Sequence, residues 1–267
     1  MRSRGHPAPR GGPDAEGATA LTSSLGLPDQ VRLCLFDLDG VLTDTAAVHT
    51  AAWKQAFDGF LRERDGDGFT PFDAGSDYPR YVDGRPRYDG VRAFLASRGI
   101  ELPEGGRDDG PEVATVHGVG NRKNALLLEH IERDGVEVFE PSVRYLEAVR
   151  AAGLRTAVVS SSANTRQVLE VTGLAPLLDL RMDAQVARAR GLRGKPAPDT
   201  FLAAAADLGG GPADAAVFED ALAGVQSGVA GGFAYVVGVD RAGQEDALRA
   251  AGAHRVVREL DELLEGP

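Results

Sequence analysis

Two aspartates, Asp37 and Asp39, stand two residues apart at the end of an apolar run, in the segment Phe36-Asp37-Leu38-Asp39-Gly40. Their side chains face the same side only if the backbone turns there, and Gly40 permits such a turn. An aspartate can attack phosphorus to form an aspartyl-phosphate, and a second carboxyl group can carry the proton. A calcium loop would need further regularly spaced oxygen ligands and a late glutamate, and none follow. The pair therefore indicates phosphoryl transfer, with Asp37 as covalent nucleophile, rather than a solvent-facing turn.

A second acidic pair, Glu219-Asp220, follows another predicted strand. Hard oxygen ligands suit Mg²⁺, which binds one or two carboxylates together with a substrate phosphate. Taken alone, such a pair is more often the N-cap of a helix. Because Asp37 also stands at a strand end, we favour a metal site.

Lys195 and Ser160 are the remaining polar candidates. Lys195 stands just before a predicted helix, and the prolines at 196 and 198 stiffen its loop and hold the cation in place. A lysine held there would offset the charge of carboxylates and phosphate. Ser160 follows a predicted strand, where its hydroxyl either donates to a phosphoryl oxygen or caps the next helix.

Alternating strands and helices follow Val136 and would position these residues. Apolar runs predict strands at Val31–Phe36, Arg155–Val159, Leu178–Met182, Ala215–Phe218 and Ala234–Val239, and a last helix and strand finish the chain. Helical patterns predict helices at Val143–Ala152, Thr165–Thr172, Asp199–Leu208 and Gly224–Ala230. Ligands of open parallel sheets bind where strands end at their carboxyl edge. The sequence thus predicts an α/β fold in which Asp37, Ser160 and Glu219-Asp220 converge.

Residues 48–132 differ in pattern from the rest of the chain. Helices are predicted at Thr45–Arg64, Val91–Arg98 and Lys123–Arg133, joined by segments rich in Gly, Asp and Pro, and nothing reads as a core strand. We predict a small helical domain at 48–132, inserted into a core formed by 29–47 and 133–267. Residues 1–28 have almost no bulky apolar side chains before Leu21 and are predicted to be a disordered tail.

Composition excludes several classes of function. The 267 residues are 43% hydrophobic and 26% charged, with a formal net charge of -11. An acidic surface argues against a nucleic-acid partner but still allows a small phosphorylated substrate. The single cysteine, Cys34, lies in an apolar run and suits a reducing cytoplasm. No segment resembles a membrane span or a signal peptide. We expect a cytoplasmic monomer without a membrane partner.

Together, these segments resemble the haloacid dehalogenase superfamily from about residue 31 to the C-terminus. The DxDG segment is similar to its first motif, Ser160 to its second, Lys195 to its third and Glu219-Asp220 to its fourth. The resemblance implies a Rossmann-like parallel-sheet core, a helical cap inserted after the first motif, and aspartyl-phosphate chemistry with Mg²⁺.

A closer resemblance is to the β-phosphoglucomutase-like subgroup. It implies that Asp37 is both nucleophile and metal ligand, and that Asp39 is the general acid/base and also belongs to the metal site with Glu219 and Asp220. Ser160 and Lys195 would hold the phosphoryl group. The implied substrate-binding residues are His49, Gly84, Arg85, Arg87, Lys123, Ser162 and Asn164. The chain departs from the subgroup at Ala163, where a lysine is common, and in expansions around 65–83 and 103–112.

The leading hypothesis is a mutase that converts β-glucose 1-phosphate to glucose 6-phosphate through a bisphosphate. The alternative is a phosphatase of sugar phosphates that uses the same aspartates with water as acceptor. A noncatalytic binding protein is disfavoured because all the polar candidates are intact. A dehalogenase is disfavoured because that chemistry needs neither the Asp39 acid/base nor a Mg²⁺ site.

Overall fold

A six-stranded parallel sheet forms the centre of the molecule in the computed structural model, which describes residues 24–265. Its strands are β1 (Leu33–Phe36), β2 (Arg155–Val159), β3 (Leu180–Met182), β4 (Ala215–Glu219), β5 (Tyr235–Val239) and β6 (Arg255–Val257). They lie in the order β3-β2-β1-β4-β5-β6. Every strand pair is parallel, as the alternation of strands and helices predicts.

Strand β1 lies inside the sheet, and its register brings three polar loops to one edge. Phe36 is paired with Val158 of β2 on one side and with Phe218 of β4 on the other. Because the strands are parallel, the residues that follow these partners leave the sheet at the same carboxyl edge. The chain segments beginning at Asp37 and Ser160 therefore start side by side, next to the end of β4.

Helices cover both faces of the sheet. The α-helices are α1 (Ala46–Asp65), α2 (Arg87–Ser97), α3 (Val116–Asp134), α4 (Glu140–Ala151), α5 (Thr165–Thr172), α6 (Ala184–Ala189), α7 (Asp199–Asp207), α8 (Leu222–Ala230) and α9 (Glu245–Ala250). Successive strand residues point to opposite faces, so Cys34 and Phe36 belong to one apolar cluster and Leu33 and Leu35 to another. Within residues 24–265, no helix has the length and apolarity needed to cross a membrane.

Residues 48–132 contain helices and no strand of the sheet, in agreement with the predicted pattern. Helices α1 and α3 pack against each other, and α2 packs on α3. Aromatic side chains of this helical block, including Trp53, Phe57 and Phe94, form an apolar cluster separate from the two that flank the sheet. The block therefore has its own small core and lies over the carboxyl edge of the sheet.

Helix α3 begins at Val116, seven residues before the predicted start at Lys123. Glycines at 118 and 120 lower the helix propensity of this first turn and obscured it in the sequence. Close packing explains both: an added Cβ would lie 2.1 Å from the Val113 carbonyl oxygen at Gly118 and 2.7 Å from the Tyr88 ring at Gly120. The Thr115 hydroxyl caps the helix by accepting from the Gly118 amide.

The N-terminal boundary of the core lies earlier than predicted. Leu25 and Leu27 are buried in the same apolar cluster as Phe36, and the Tyr145 hydroxyl donates to the Leu25 carbonyl oxygen at 2.9 Å. The tail prediction for 1–28 is therefore wrong for this short segment, because two leucines suffice to bury it. Residues 1–23, the rest of the predicted tail, lie outside the described residues.

Candidate active site

A cavity of about 870 Å³ lies between the carboxyl edge of the sheet and the helical block. The core contributes Asp37, Asp39, Ser160, Ser162, Asn164, Lys195 and Asp220 to its lining. The helical block contributes His49, Gly84, Arg85, Arg87 and Lys123. The structure therefore gathers at one cavity the site residues that the sequence indicates, apart from Glu219, which is buried directly behind it.

A tight turn follows the two aspartates after β1. Gly40 adopts a φ of 87°, and an added Cβ would lie 1.8 Å from Oδ2 of Asp220. The Gly40 amide donates to the Thr43 carbonyl oxygen at 2.8 Å and closes the turn. Only glycine fits here, because the backbone is left-handed and Gly40 lies close to the carboxylate of Asp220. The turn thus packs the DxDG segment directly against the loop that follows β4.

Lys195 is buried between two carboxylates. Its Nζ lies 2.5 Å from Oδ1 of Asp37 and 2.5 Å from Oε1 of Glu219, and donates to the Val159 carbonyl oxygen at 2.8 Å. Burial disfavours the ammonium, but the two carboxylates outweigh it and raise the pKa of Lys195. The lysine is therefore a fixed cation beside Asp37, as its proline-flanked loop indicates.

Asp37, Glu219 and Asp220 form a group able to hold a metal ion. One carboxylate oxygen from each lies within 4.8 Å of the others, and all three side chains are buried. Burial raises the pKa of both Asp37 and Asp220 well above the usual range, and neighbouring carboxylates add to the effect. Lys195 offsets only part of the negative charge of three ionised carboxylates, and these hard oxygen donors fit a divalent cation, which would compensate the rest.

Asp39 lies outside this group of three, and its assignment to the metal site stays a prediction. The turn at Gly40 directs its carboxylate towards α1, where Oδ1 accepts from the Thr45 hydroxyl and lies 3.6 Å from Nε2 of His49. A carboxyl group held at the cavity but away from the other three matches the role of proton carrier.

Half-buried His49 and buried Lys123 form a pair beside Asp39. Nζ of Lys123 lies 3.2 Å from Nδ1 of His49 and 5.1 Å from the centroid of the Trp53 ring. Burial lowers the pKa of Lys123 to about 7, and burial together with Lys123 lowers the pKa of His49 to about 4. A neutral imidazole that accepts at Nδ1 carries its proton at Nε2, the nitrogen that faces Asp39.

The loop after β2 connects the core to the helical block. The Ser161 hydroxyl donates to the Gly84 carbonyl oxygen at 2.9 Å, and the Asn164 amide donates to Asn124 at 2.9 Å. Ser160 Oγ accepts from the Ser162 amide at 3.0 Å, so the hydroxyl shapes this loop and keeps its own hydrogen for another acceptor. The loop therefore serves both as a wall of the cavity and as a contact between its two sides.

The loop before α2 brings Arg87 to the cavity. Gly84 has a φ of 66°, and its Cα lies close enough to the core that an added Cβ would be 2.8 Å from the Ala221 side chain. Arg87 donates through Nη2 to the Tyr88 hydroxyl at 3.3 Å, while its buried Nε has no hydrogen-bond partner in residues 24–265. An unsatisfied buried guanidinium nitrogen is a donor in need of an acceptor.

Asp83 and Tyr78 are among the ionisable residues of the cavity wall that sequence reasoning missed. Burial, followed by the charge of Glu219, raises the pKa of Asp83 to about 7. Burial and the Asp83 charge raise the pKa of Tyr78 well above its usual value. Neither residue follows a strand, so they could not be found by looking at strand ends. The only signal in the sequence was their position a few residues before Gly84.

Two residues of the loop after β5 were also missed, although this loop leaves the same edge of the sheet. Arg241 donates through Nε to the Gly40 carbonyl oxygen at 2.9 Å, and Gln244 donates through Nε2 to the Asp220 carbonyl oxygen at 3.0 Å. One loop thereby braces both acidic loops. The strand-end rule that located Asp37 and Asp220 would have pointed to this loop as well.

The parallel sheet, with its buried lysine and three carboxylates at the carboxyl edge, defines a Rossmann-like α/β enzyme core. The chain belongs to the haloacid dehalogenase-like hydrolase family, whose family model matches residues 31–232. The match spans all the core candidates from Asp37 to Asp220 and the helical block between them. It confirms the family to which the four motifs point.

Individual proteins of known name resemble this chain over most of its length. The β-phosphoglucomutase of Mycobacterium tuberculosis is 57% identical over 246 residues, which are 90% of this chain and 94% of the relative. The β-phosphoglucomutase of Bacillus subtilis is 32% identical over 234 residues, 87% of this chain and 92% of the relative. The crystal structure of β-phosphoglucomutase from Clostridium difficile has a TM-score of 0.68 at 23% identity and covers 87% of this chain and 93% of its own. This last likeness confirms the fold.

Proposed function

We propose that this protein is a β-phosphoglucomutase, which converts β-glucose 1-phosphate to glucose 6-phosphate through glucose 1,6-bisphosphate. The observation that carries the proposal is one cavity with a nucleophile at one side and an unsatisfied arginine at the other. Asp37 lies at the sheet edge and Arg87 in the helical block. A doubly phosphorylated sugar fits such a cavity because each phosphate has its own site. The 57% identity to the mycobacterial relative supports the same conclusion.

Asp37 is proposed to attack the phosphoryl group. Lys195 donates to Oδ1 at 2.5 Å and offsets part of the rise in the pKa of Asp37 that burial causes, which leaves Oδ2 to form the new bond to phosphorus. The oxygen–phosphorus bond of the sugar phosphate breaks as this bond forms. Lys195 and Ser160 then hold the transferring group, because an ammonium and a hydroxyl both donate to phosphoryl oxygens.

Asp39 is proposed to move the proton. It protonates the sugar oxygen that leaves and later removes the proton from the sugar hydroxyl that attacks the aspartyl-phosphate. The Thr45 hydroxyl and the Nε2 side of His49 fix its carboxylate on the side of the helical block. A carboxyl group in this position is close to the sugar, whereas the other three carboxylates surround the phosphoryl group.

The helical block is proposed to act as a cap domain over 29–47 and 133–267. A mutase must exclude water, which would hydrolyse the aspartyl-phosphate, and a cap closed over the cavity does so. The sugar bisphosphate turns around between the two transfers, so that either phosphate faces Asp37 while the other binds Arg87. The Arg87 guanidinium can bind the phosphate at either end of the sugar, because its paired N–H donors contact the phosphate and not the sugar. His49, Gly84, Arg85, Lys123, Ser162 and Asn164 are proposed to contact the sugar or its second phosphate.

We propose Mg²⁺ as the metal, held by the carboxylates of Asp37, Glu219 and Asp220. When bound, it supplies positive charge to the transferring phosphoryl group. The single, buried and unpaired Cys34 supports a cytoplasmic location, where phosphorylated sugars are metabolised. We retain the expectation of a monomer.

The decisive measurement is product analysis with the purified protein. With Mg²⁺, β-glucose 1-phosphate and a trace of glucose 1,6-bisphosphate, glucose 6-phosphate is expected to form in large excess over free phosphate. The two products are measured separately, by a coupled dehydrogenase assay and by a phosphate assay. Free phosphate without glucose 6-phosphate would overturn the mutase and leave the phosphatase alternative.

Binding of Mg²⁺ is expected to stabilise the folded protein. At a concentration 100-fold above its Kd, the ion adds about 2.7 kcal/mol, which corresponds to a rise in Tm on the order of 5 °C for a protein of this size. Thermal unfolding with MgCl₂, against NaCl of equal ionic strength, measures the effect without any substrate. Asp220→Asn should largely remove the shift, whereas Asp240→Asn, on the neighbouring loop, should keep most of it. An equal shift in both variants would contradict the proposed site.

A further inference from the structure

The expansion at 103–112 is fastened to α3 and reaches the mouth of the cavity. Asn121 donates through Nδ2 to the carbonyl oxygens of Arg107 and Asp109, at 2.8 and 2.9 Å. Arg122 donates to the Pro111 carbonyl oxygen at 2.7 Å. These bonds hold both halves of the segment on the helix. As a result Arg107, which is exposed, has a defined place in the cavity lining.

The guanidiniums of Arg107 and Arg87 both lie near the ring of Tyr88. The two guanidinium carbons lie 6.0 and 5.0 Å from the centroid of the same Tyr88 ring. The ring is itself fixed, because its hydroxyl donates to Asn121 at 2.9 Å and the absence of a side chain at Gly120 leaves it room. Cation–π attraction favours each arginine at the ring, but it does not neutralise their charges.

Neither arginine forms an ion pair within residues 24–265. Two acidic residues of the cavity lining, Asp89 and Glu104, are already used, because both contact Arg92. Glu104 also lies 3.7 Å from Nε2 of His117. Two like charges near one ring repel each other, and an anion that contacts both arginines would relieve the repulsion. The unsatisfied Nε of Arg87 provides a donor for the same anion.

We propose that Arg107 joins Arg87 in binding the phosphate that is remote from Asp37, so that the 103–112 expansion selects doubly phosphorylated sugars. The inference rests on the proposed function, in which the cavity holds a bisphosphate. Two guanidiniums present more donors than one, and they match the dianionic charge of a phosphate monoester. The expansion thereby has a role in substrate selection, which the core motifs do not explain.

The test is the binding of glucose 1,6-bisphosphate by calorimetry in the presence of Mg²⁺. An Asp37→Asn background prevents turnover during the titration. Adding Arg107→Ala is expected to raise the Kd about tenfold, as loss of a charge-assisted contact does. Arg107→Lys should raise the Kd less, because lysine keeps the positive charge but lacks the paired donors of a guanidinium. Arg62→Ala is the matched control: Arg62 is another exposed arginine of the helical block, it lies 5.1 Å from the Phe69 ring centroid, and it is outside the cavity lining.

A second readout uses a substrate with one phosphate. With Asp37 intact, hydrolysis of p-nitrophenyl phosphate needs only the sheet-edge site, so Arg107→Ala should change its kcat/KM less than twofold. The proposal would be overturned if Arg107→Ala and Arg62→Ala bound the bisphosphate with the same Kd. It would also be overturned if Arg107→Ala weakened bisphosphate binding and p-nitrophenyl phosphate hydrolysis by the same factor. If the unmodified protein forms no glucose 6-phosphate but Arg107→Ala still weakens bisphosphate binding, the mutase assignment fails and the role of Arg107 stands.

Discussion

Replacing Asp37 with asparagine is expected to lower the turnover of β-glucose 1-phosphate by about 10⁴-fold or more, as loss of a covalent nucleophile does. The amide has nearly the shape of the carboxylate but cannot form the bond to phosphorus. The fold should persist, because Lys195 keeps its contacts with Glu219 and the Val159 carbonyl oxygen. Removing one of three crowded carboxylates also reduces repulsion, so the Tm should stay the same or rise. The coupled assay and thermal unfolding measure the two effects.

Asp44→Asn is the matched control for this variant. Asp44 is exposed in the same loop, seven residues further on, and should tolerate the change with less than a twofold effect on turnover. Mass spectrometry of the protein after brief exposure to the bisphosphate adds a direct check. A phosphoryl group on the unmodified chain should be lost with Asp37→Asn. Retention of full activity or of the covalent phosphate in the variant would refute the nucleophile.

Replacing Lys195 with methionine is expected to destabilise the fold by about 3–5 kcal/mol at pH 8, the cost of leaving buried charges uncompensated. Lys195 is 3% exposed and contacts two carboxylates, whereas methionine keeps the length and loses the charge. Turnover should also fall at least 10²-fold, because the phosphoryl group and Asp37 lose their fixed cation. Urea unfolding in EDTA measures the stability, since EDTA removes any bound divalent ion.

Acidic and basic groups of the site change stability with pH in opposite directions. Burial raises the pKa of Asp37 and Asp220 in the folded state, so these two groups lower the free energy of unfolding as pH rises. The lowered pKa values of His49 and Lys123 raise the free energy of unfolding as pH rises, and they do so equally in the unmodified chain and the methionine variant over the measured range of pH 5.5 to 8. Loss of Lys195 raises the pKa of Asp37 further, so the lowering by the carboxylates should be steeper in the methionine variant. The raised pKa of Lys195 itself has no effect in this range, because the amine stays protonated in both states.

Lys54→Met controls for the loss of a lysine. Lys54 is half exposed and pairs with Asp58 one turn along α1. An ion pair of that kind contributes less than about 1 kcal/mol, and its loss should not depend on pH between 5.5 and 8. If Lys195→Met showed the same small, pH-independent change, the buried cation would not be what stabilises the acidic centre.

The sheet and its edge were predictable because they follow from local pattern. Short apolar runs ending in polar residues marked five strands, and parallel pairing then required Asp37, Ser160 and Asp220 to converge. The predicted range for β2 matches the observed range, Arg155–Val159. Apart from Lys195, which its proline-flanked loop indicates, the predicted core site residues follow strand ends, so they can be located in the sequence without tertiary information.

Other parts of the site depend on contacts that no local pattern reveals. The orientation of Asp39 follows from the turn at Gly40 and from Thr45, six residues along the chain. Arg241 reaches Gly40 across 201 residues. In the helical block, glycines that break the helix pattern are needed for packing, as at Gly120, so the first turn of α3 was not predicted. The cavity residues Tyr78 and Asp83 lie before α2, where no strand end directs a side chain.

The position of β1 in the sheet has a consequence for synthesis of the protein. This strand is the first of the six to leave the ribosome, yet both of its neighbours are encoded much later: Leu33 pairs with Arg155 on one side and with Ala215 on the other. Until both have emerged, an apolar strand with unpaired backbone groups is exposed, while the helical block can already form its own core. A chain interrupted before residue 215 therefore carries the nucleophile without the strand that orders it, and is expected to be inactive and prone to aggregate.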